Sequence, residues 1–177
     1  MDTIHTMKSI INQRIHIAPV GFEIDRVVIP AVEMKADLVY LVVHDNLATD
    51  KAQNHHTEIQ KQLKKKKIKT ETVYANRFKL FDIIRVVKEL IEKNRTDSFY
   101  VNVASGSKIH AIGCMMACMM FDDRDNIQPF YPQPTEYPDY GEGEQQTYGV
   151  EEIHELPTYQ LLTPKPHLLA ALKIIKE

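Results

Sequence analysis

Asp37–Val43, DLVYLVV, is a nearly continuous apolar run of strand length. A strand apolar on both faces has to be covered on both, so this run predicts a central parallel strand between helical layers. Weaker patterns flank it. Arg14–Val20 reads as a first strand, and after Gly21 a helix begins at Phe22 with Ile24, Val27, Val28, Ala31 and Val32 on one face. Pro30 falls inside that helix and is expected to kink it or displace its start. His44-Asp45-Asn46 closes the central strand with turn formers. Thr49–Lys67 is a polar helix with Ile59 and Leu63 as its main apolar contacts. Ile68–Tyr74 alternates as a third strand, and Asn76-Arg77-Phe78 leads into a helix with Leu80, Ile84, Val87 and Ile91 at helical spacing.

The second half turns on Ser98–Asp122. Phe99–Val103 has the aromatic and β-branched content of a buried strand. The small residues Ala104-Ser105-Gly106-Ser107 then make a turn, and Lys108 opens a helix predicted over 106–122. Ile109, Ile112, Gly113, Met116, Ala117 and Met120 share one face of it. Ala111, Cys114, Met115, Cys118 and Met119 fill most of the rest. A helix apolar all round is expected to be buried on both sides, by the sheet on one and by core packing or a homodimer seam on the other. Ile127–Tyr131 reads as a fifth strand, Pro132–Glu144 as a loop rich in proline, tyrosine and acid, and Gln145–Leu156 as a last strand. Pro157, Pro164 and Pro166 punctuate a linker before a short amphipathic helix, His167–Lys176.

Strands alternating with helices imply an α/β fold built on a parallel sheet, whose ligand crevice lies beyond the carboxyl ends of the strands. Three loops converge there: Pro19–Arg26, His44–Asn46 and Asn102–Lys108. The strand, small-residue turn and helix at Asn102–Lys108 aim backbone N–H groups and a positive helix end at an anion. Lys108 adds a cation, and Ser105 and Ser107 add hydroxyls and an N-cap.

Composition narrows this further. At 177 residues with 44% hydrophobic and 26% charged positions, the chain fits one domain with a sizeable core. A net charge of −2 is not that of an overall basic nucleic-acid binder. The run Lys64–Lys67 reads first as a solvated helix end that complements the helix dipole; a nucleic-acid patch is the alternative. No apolar run reaches the roughly 20 residues of a membrane span. The N-terminal residues lack the apolar core of a signal peptide, so residues 1–12 are expected to be a loose leader of a cytoplasmic protein. Cys114 and Cys118, four apart on one helix, are expected as reduced core thiols, and His110 alone near them does not complete a metal site.

Competing chemistries lack their motifs. There is no G-x-G-x-x-G after the first strand, no phosphate-binding G-x-x-x-x-G-K-[ST] and no G-x-S-x-G. Ser105 or Ser107 with His110 as base has no evident orienting carboxylate. His55 and His56 are expected in solvent, and Glu23 and Asp25 as caps of helix N–H groups. Neither catalytic residues nor a bound cofactor are expected.

The residues carry a resemblance. Asn102-Val-Ala-Ser-Gly-Ser-Lys108 resembles the Asn-x-Thr-Gly-Gly-Thr-Lys signature of CARF domains, the CRISPR-associated Rossmann fold. Ile17-Ala-Pro-Val-Gly-Phe-Glu-Ile-Asp-Arg26 and Ala117-Cys-Met-Met120 are similar to motifs of the archaeal CARF-like transcriptional regulators that add a C-terminal winged helix. Ser105 departs from the pattern by standing at the first glycine, and no winged helix lies within the sequence. The resemblance implies a Rossmann-like homodimer of about six strands, with helices on both faces. Its pocket would lie across the two-fold axis and take a cyclic oligoadenylate or a related nucleotide second messenger.

On that reading residues 1–160 form the sensing domain, and 161–177 form a linker and the start of a C-terminal helix. DNA would be met only through a further domain. Backbone amides of Ser105, Gly106, Ser107 and Lys108 would hold phosphate, with Ala104 in the same loop and Asn102 fixing the turn. Pro19, Val20, Gly21, Phe22, Glu23 and His44 would line the base or ribose side. A ring nuclease acting on the same ligand without metal, and a dimerisation domain with a vestigial pocket, are the alternatives.

Overall fold

The computed structural model describes residues 12–93, 95–121, 124–139 and 141–159. Six strands form one sheet in the order β3-β2-β1-β4-β5-β6. They are β1 (Arg14–Pro19), β2 (Leu38–His44), β3 (Lys69–Ala75), β4 (Ser98–Asn102), β5 (Ile127–Gln133) and β6 (Glu152–Glu155). The first five are parallel to their neighbours, and β6 runs antiparallel to β5. The helices are α1 (Asp25–Glu33), α2 (Gln53–Lys65), α3 (Leu80–Glu92) and α4 (Lys108–Cys118). The expected leader at 1–11, the tail of the helix at Asp122, and the linker and helix beyond 159 lie outside the described residues.

The central run behaves as its pattern requires, with β2 buried at every position. Leu38, Tyr40 and Val42 enter one core, with Ile83, Val87 and Ile91 of α3 and Cys114 and Ala117 of α4. Val39, Leu41 and Val43 enter a second core with Val27 and Val28 of α1 and Ile59 and Leu63 of α2. The period of two along the strand thus deals alternate side chains to two helical layers. The result is an α/β, Rossmann-like sandwich.

Three expectations need correction. The last strand is only Glu152–Glu155, because Gln146–Gly149 is instead tied across to the loop after β1. Gln146 N donates to Phe22 O at 3.0 Å, and Gly149 N donates to the Asp25 carboxylate at 2.8 Å. The polar helix begins at Gln53, after a short 3-10 turn at Leu47–Thr49. The faces of α4 also divide differently: Gly113 and Ala117 turn inward with His110, Cys114 and Cys118, while Ile109, Ile112 and Met120 are exposed. Gly113 is where α4 meets α3, since a Cβ there would stand 2.8 Å from the Ile83 side chain. Both cysteines are free and buried, and burial pushes the Cys114 thiol up to about 12. Among the described residues no helix is long and apolar enough to cross a membrane.

Candidate functional site

Strand order reverses between β1 and β4, the two strands whose following loops open the crevice of such a sheet. The loops touch through their glycines. A Cβ on Gly21 would lie 2.9 Å from Gly106 Cα, and one on Gly106 would lie 2.8 Å from Pro19 Cβ. Gly106 also holds φ +79°, a backbone region that side chains disfavour.

Asn102, at the end of β4, fixes this arrangement. Its Oδ1 accepts the N–H groups of Ala104 at 2.9 Å and Ser105 at 3.2 Å. Its Nδ2 donates to the carbonyl of Arg26 at 2.7 Å. That carbonyl would normally take the N–H four residues on, but residue 30 is proline and has none. Pro30 therefore stays inside α1, and the acceptor it orphans is used to bind the two motifs together.

A cavity of about 620 Å³ lies above these loops. Val20, Gly21 and Phe22 form one wall and Gly106, Ser107 and Lys108 another. Lys51, Arg77 and Lys108 bring cations to its lining, and among the described residues no carboxylate lines it. Arg77 is anchored by Asp50 at 3.3 Å, and Lys51 pairs with Glu142. Lys108 has no salt bridge among the described residues. Phe78 supplies a ring 72% exposed, edge-on to His44 at 5.4 Å and with the Arg77 guanidinium 5.2 Å from its centroid. The chemistry on offer is anion binding beside an apolar, planar surface.

The α4 N-terminus shows which donors are free. Ser107 caps the helix: its Oγ accepts from His110 N, and its own N–H donates to His110 Nδ1 at 3.2 Å. Two of the expected phosphate amides are therefore already bonded, Ser105 to Asn102 and Ser107 to His110. The N–H groups of Gly106, Lys108 and Ile109 have no hydrogen-bond partner among the described residues. Accepting at Nδ1 fixes His110 with its proton on Nε2, which is buried and unpartnered. Burial, then the Arg77 charge, lowers its pKa to about 4, so it is neutral near pH 7.

These loops carry the two motifs picked out in the sequence, and residues 14–137 match the family model HFX_2341_N-like, N-terminal. The chain belongs to that family. Uncharacterized protein MJ1513 of Methanocaldococcus jannaschii is 28% identical over 188 residues, covering 91% of this chain and 55% of the relative. The chain thus spans about half the length of that protein. Can2 from Sulfobacillus thermosulfidooxidans, in complex with cyclic tetra-adenylate, superposes with a TM-score of 0.57 at 13% identity, over 77% of this chain and 37% of that one. Enterococcus italicus Csm6, bound to cyclic hexa-2'-fluoro-hexa-dAMP, gives 0.60 at 10% identity over 94% and 45%. Protein VC1899 from Vibrio cholerae gives 0.56 at 15% over 68% and 31%. The fold is CARF-like.

Within this HFX_2341-like domain the expected site residues separate into two groups. Val20, Gly21, Phe22, Gly106, Ser107 and Lys108 face the cavity. Pro19, His44, Asn102, Ala104 and Ser105 lie behind that lining as support; Ser105 is buried with its hydroxyl unpartnered. Glu23 is buried too, against the Arg26 guanidinium at 3.4 Å and the Thr147 hydroxyl, and burial raises its pKa. Neither Glu23 nor Asp25 caps α1: the first neutralises a buried arginine and the second holds Gly149. His55 is not in solvent but packs edge-on against Phe22 at 5.3 Å, and His56 meets Thr72 at 3.0 Å. Lys51, Arg77, Phe78, Ile109, His110 and Gln146 were not anticipated as lining. Arg77-Phe78 follows β3 after a single residue, Asn76, so counting that third strand end into the crevice was the available signal.

Proposed function

We propose that this domain is a ligand sensor that takes a cyclic oligoadenylate, or a related nucleotide second messenger, and serves a regulatory protein. The free amides of Gly106, Lys108 and Ile109, beside the Lys108 ammonium in a cavity lined, among the described residues, by cations and no carboxylate, carry the reading. A phosphate there meets N–H donors and a helix N-terminus together. Phe78 and Ile109 offer apolar surface to an adenine. The ligands named for Can2 and Csm6, which share the fold, support the same class.

The functional unit on this proposal is a homodimer. Ile109 and Ile112 of α4, Met120 just beyond it and Phe81 of α3, the last 80% exposed, leave large apolar side chains in solvent on the two helices that pack together, and Ile109 among them lines the pocket. A second copy covering them would bring two pockets together for a cyclic ligand.

Sensing is favoured over a cleavage that would use His110 as its base. The Nδ1 of His110 is engaged by Ser107, its Nε2 is buried and burial lowers its pKa, which makes it a weak base toward a bound ligand. Prolonged incubation with cyclic tetra- and hexa-adenylate, followed by chromatography, tests this. Intact rings recovered from the complex are expected; linear fragments at turnover excess would make the domain a nuclease.

A further inference from the structure

At the opposite end of the sheet from the pocket, the amino ends of β1, β2 and β3 carry a concentration of positive charge. Lys35 follows α1; Lys64 and Lys65 end α2, and Lys66 and Lys67 follow it; Lys69 opens β3; all are exposed. None of these six forms a salt bridge among the described residues. The anions nearby are few: Asp37 pairs with Arg14, Glu58 pairs with Lys61, and Glu33 and Glu71 are exposed. Two shallow grooves meet at Lys67 and Ile68, one reaching Lys61 and Lys69 and the other Arg14 and Lys35.

The backbone makes a second, independent observation. Lys35 and Lys67 are the only described residues besides glycine with positive φ, 55° and 61°. Each closes its helix in a Schellman turn. Ala36 N donates to Ala31 O and Lys35 N to Val32 O; Ile68 N donates to Leu63 O and Lys67 N to Lys64 O. Glycine is the residue such a position favours, since a side chain there is strained. Both positions instead hold a lysine, and both lysines border the same groove.

We infer that this face binds the phosphate backbone of duplex nucleic acid, independently of sequence and of the ligand pocket. Unpaired lysines that repel one another are stabilised by a polyanion that releases counterions on binding. The large exposed apolar side chains of the described residues, such as Phe78, Phe81 and Ile112, lie outside this face. It therefore lacks the aromatics that stack single-stranded bases and the apolar side chains that enter a lipid surface. This contact would belong to the domain itself, unlike the contact through a further domain implied by the sequence motifs.

The test uses the full chain and a labelled 20-base-pair duplex of random sequence, titrated by fluorescence anisotropy at several salt concentrations. Binding should weaken steeply with salt. Lys35→Gly/Lys67→Gly, which relieves the backbone strain, should melt no lower than the parent, bind more weakly, and show a log–log salt slope shallower by about two. Lys108→Ala should leave duplex binding unchanged. An unaltered slope in the folded double-glycine variant, loss of binding in Lys108→Ala, tighter binding of a single strand, or binding only to phosphatidylserine vesicles would each overturn the assignment.

Discussion

Asn102 Nδ2 stands 2.7 Å from the carbonyl of Arg26, the acceptor that Pro30 leaves without a helical donor. One hydrogen bond thus joins the start of α1 to the turn before α4, and the same side chain holds Ala104 and Ser105 through its other end. A proline that looks like a helix breaker is an element of the site.

This pairing can be measured. Asn102→Ala leaves a buried carbonyl and two N–H groups without partners and should cost roughly 2–4 kcal/mol. In a Pro30→Ala background residue 30 regains an N–H for Arg26. The same Asn102→Ala change should then cost about 1 kcal/mol less in urea unfolding. Strict additivity of the two changes would contradict the role assigned to Pro30.

The glycines separate into close and open positions. Gly106→Ala combines a disfavoured φ with contacts at 2.8 Å to Pro19 and 3.0 Å to His110, and should cost about 2–4 kcal/mol. Gly143→Ala has the same φ of +79° but no atom within 4 Å, and should cost only about 1 kcal/mol. Thermal melts of the two variants compare them directly; equal losses would show that the loops do not touch as described.

Histidine burial makes stability fall in mild acid. His16 and His110 have their pKa values lowered to about 4 by burial, with Arg14 and Arg77 respectively adding repulsion. Both are neutral when folded and free to take a proton when unfolded. Stability is therefore complete above the ordinary value of 6.5 and is lost as pH falls from there toward 4. The loss is on the order of 3 kcal/mol per group by pH 4. His110→Asn, which can still accept from Ser107, should flatten part of the decline of Tm between pH 6.5 and 4.

Much of the fold was legible because its signals are periodic. The all-buried β2 and the apolar spacings of α3 follow directly from their runs. The turn at Asn102–Lys108 was legible as a turn because a run of small residues stands between a strand pattern and a helix pattern. What stayed hidden depends on partners remote in sequence. Nothing around Glu23 indicates that Arg26 and Thr147 enclose it, and nothing around His55 indicates that Phe22 covers it. Gln146 reaches the pocket because its segment pairs with the loop after β1, a contact with no local pattern. The amides at Ser105 and Ser107 looked free because their side-chain acceptors, on Asn102 and His110, could not be placed from spacing alone.

The exposed apolar side chains of α3 and α4 give an assembly prediction. Ile112→Glu, half-exposed on α4, should convert a dimer into a monomer in light scattering while leaving the cores intact. A parent chain that is already monomeric at micromolar concentration would remove the shared-pocket reading.

The most direct test of the central claim is a thermal-shift series with cyclic tri-, tetra- and hexa-adenylate on the parent chain and on Lys108→Ala. Ligand at about 100 times its dissociation constant should stabilise the parent by roughly 2.7 kcal/mol. One ring size should raise the parent's Tm, and the shift should collapse in Lys108→Ala. No shift with any ring, or one that survives the loss of Lys108, would contradict a phosphate-reading pocket at the start of α4.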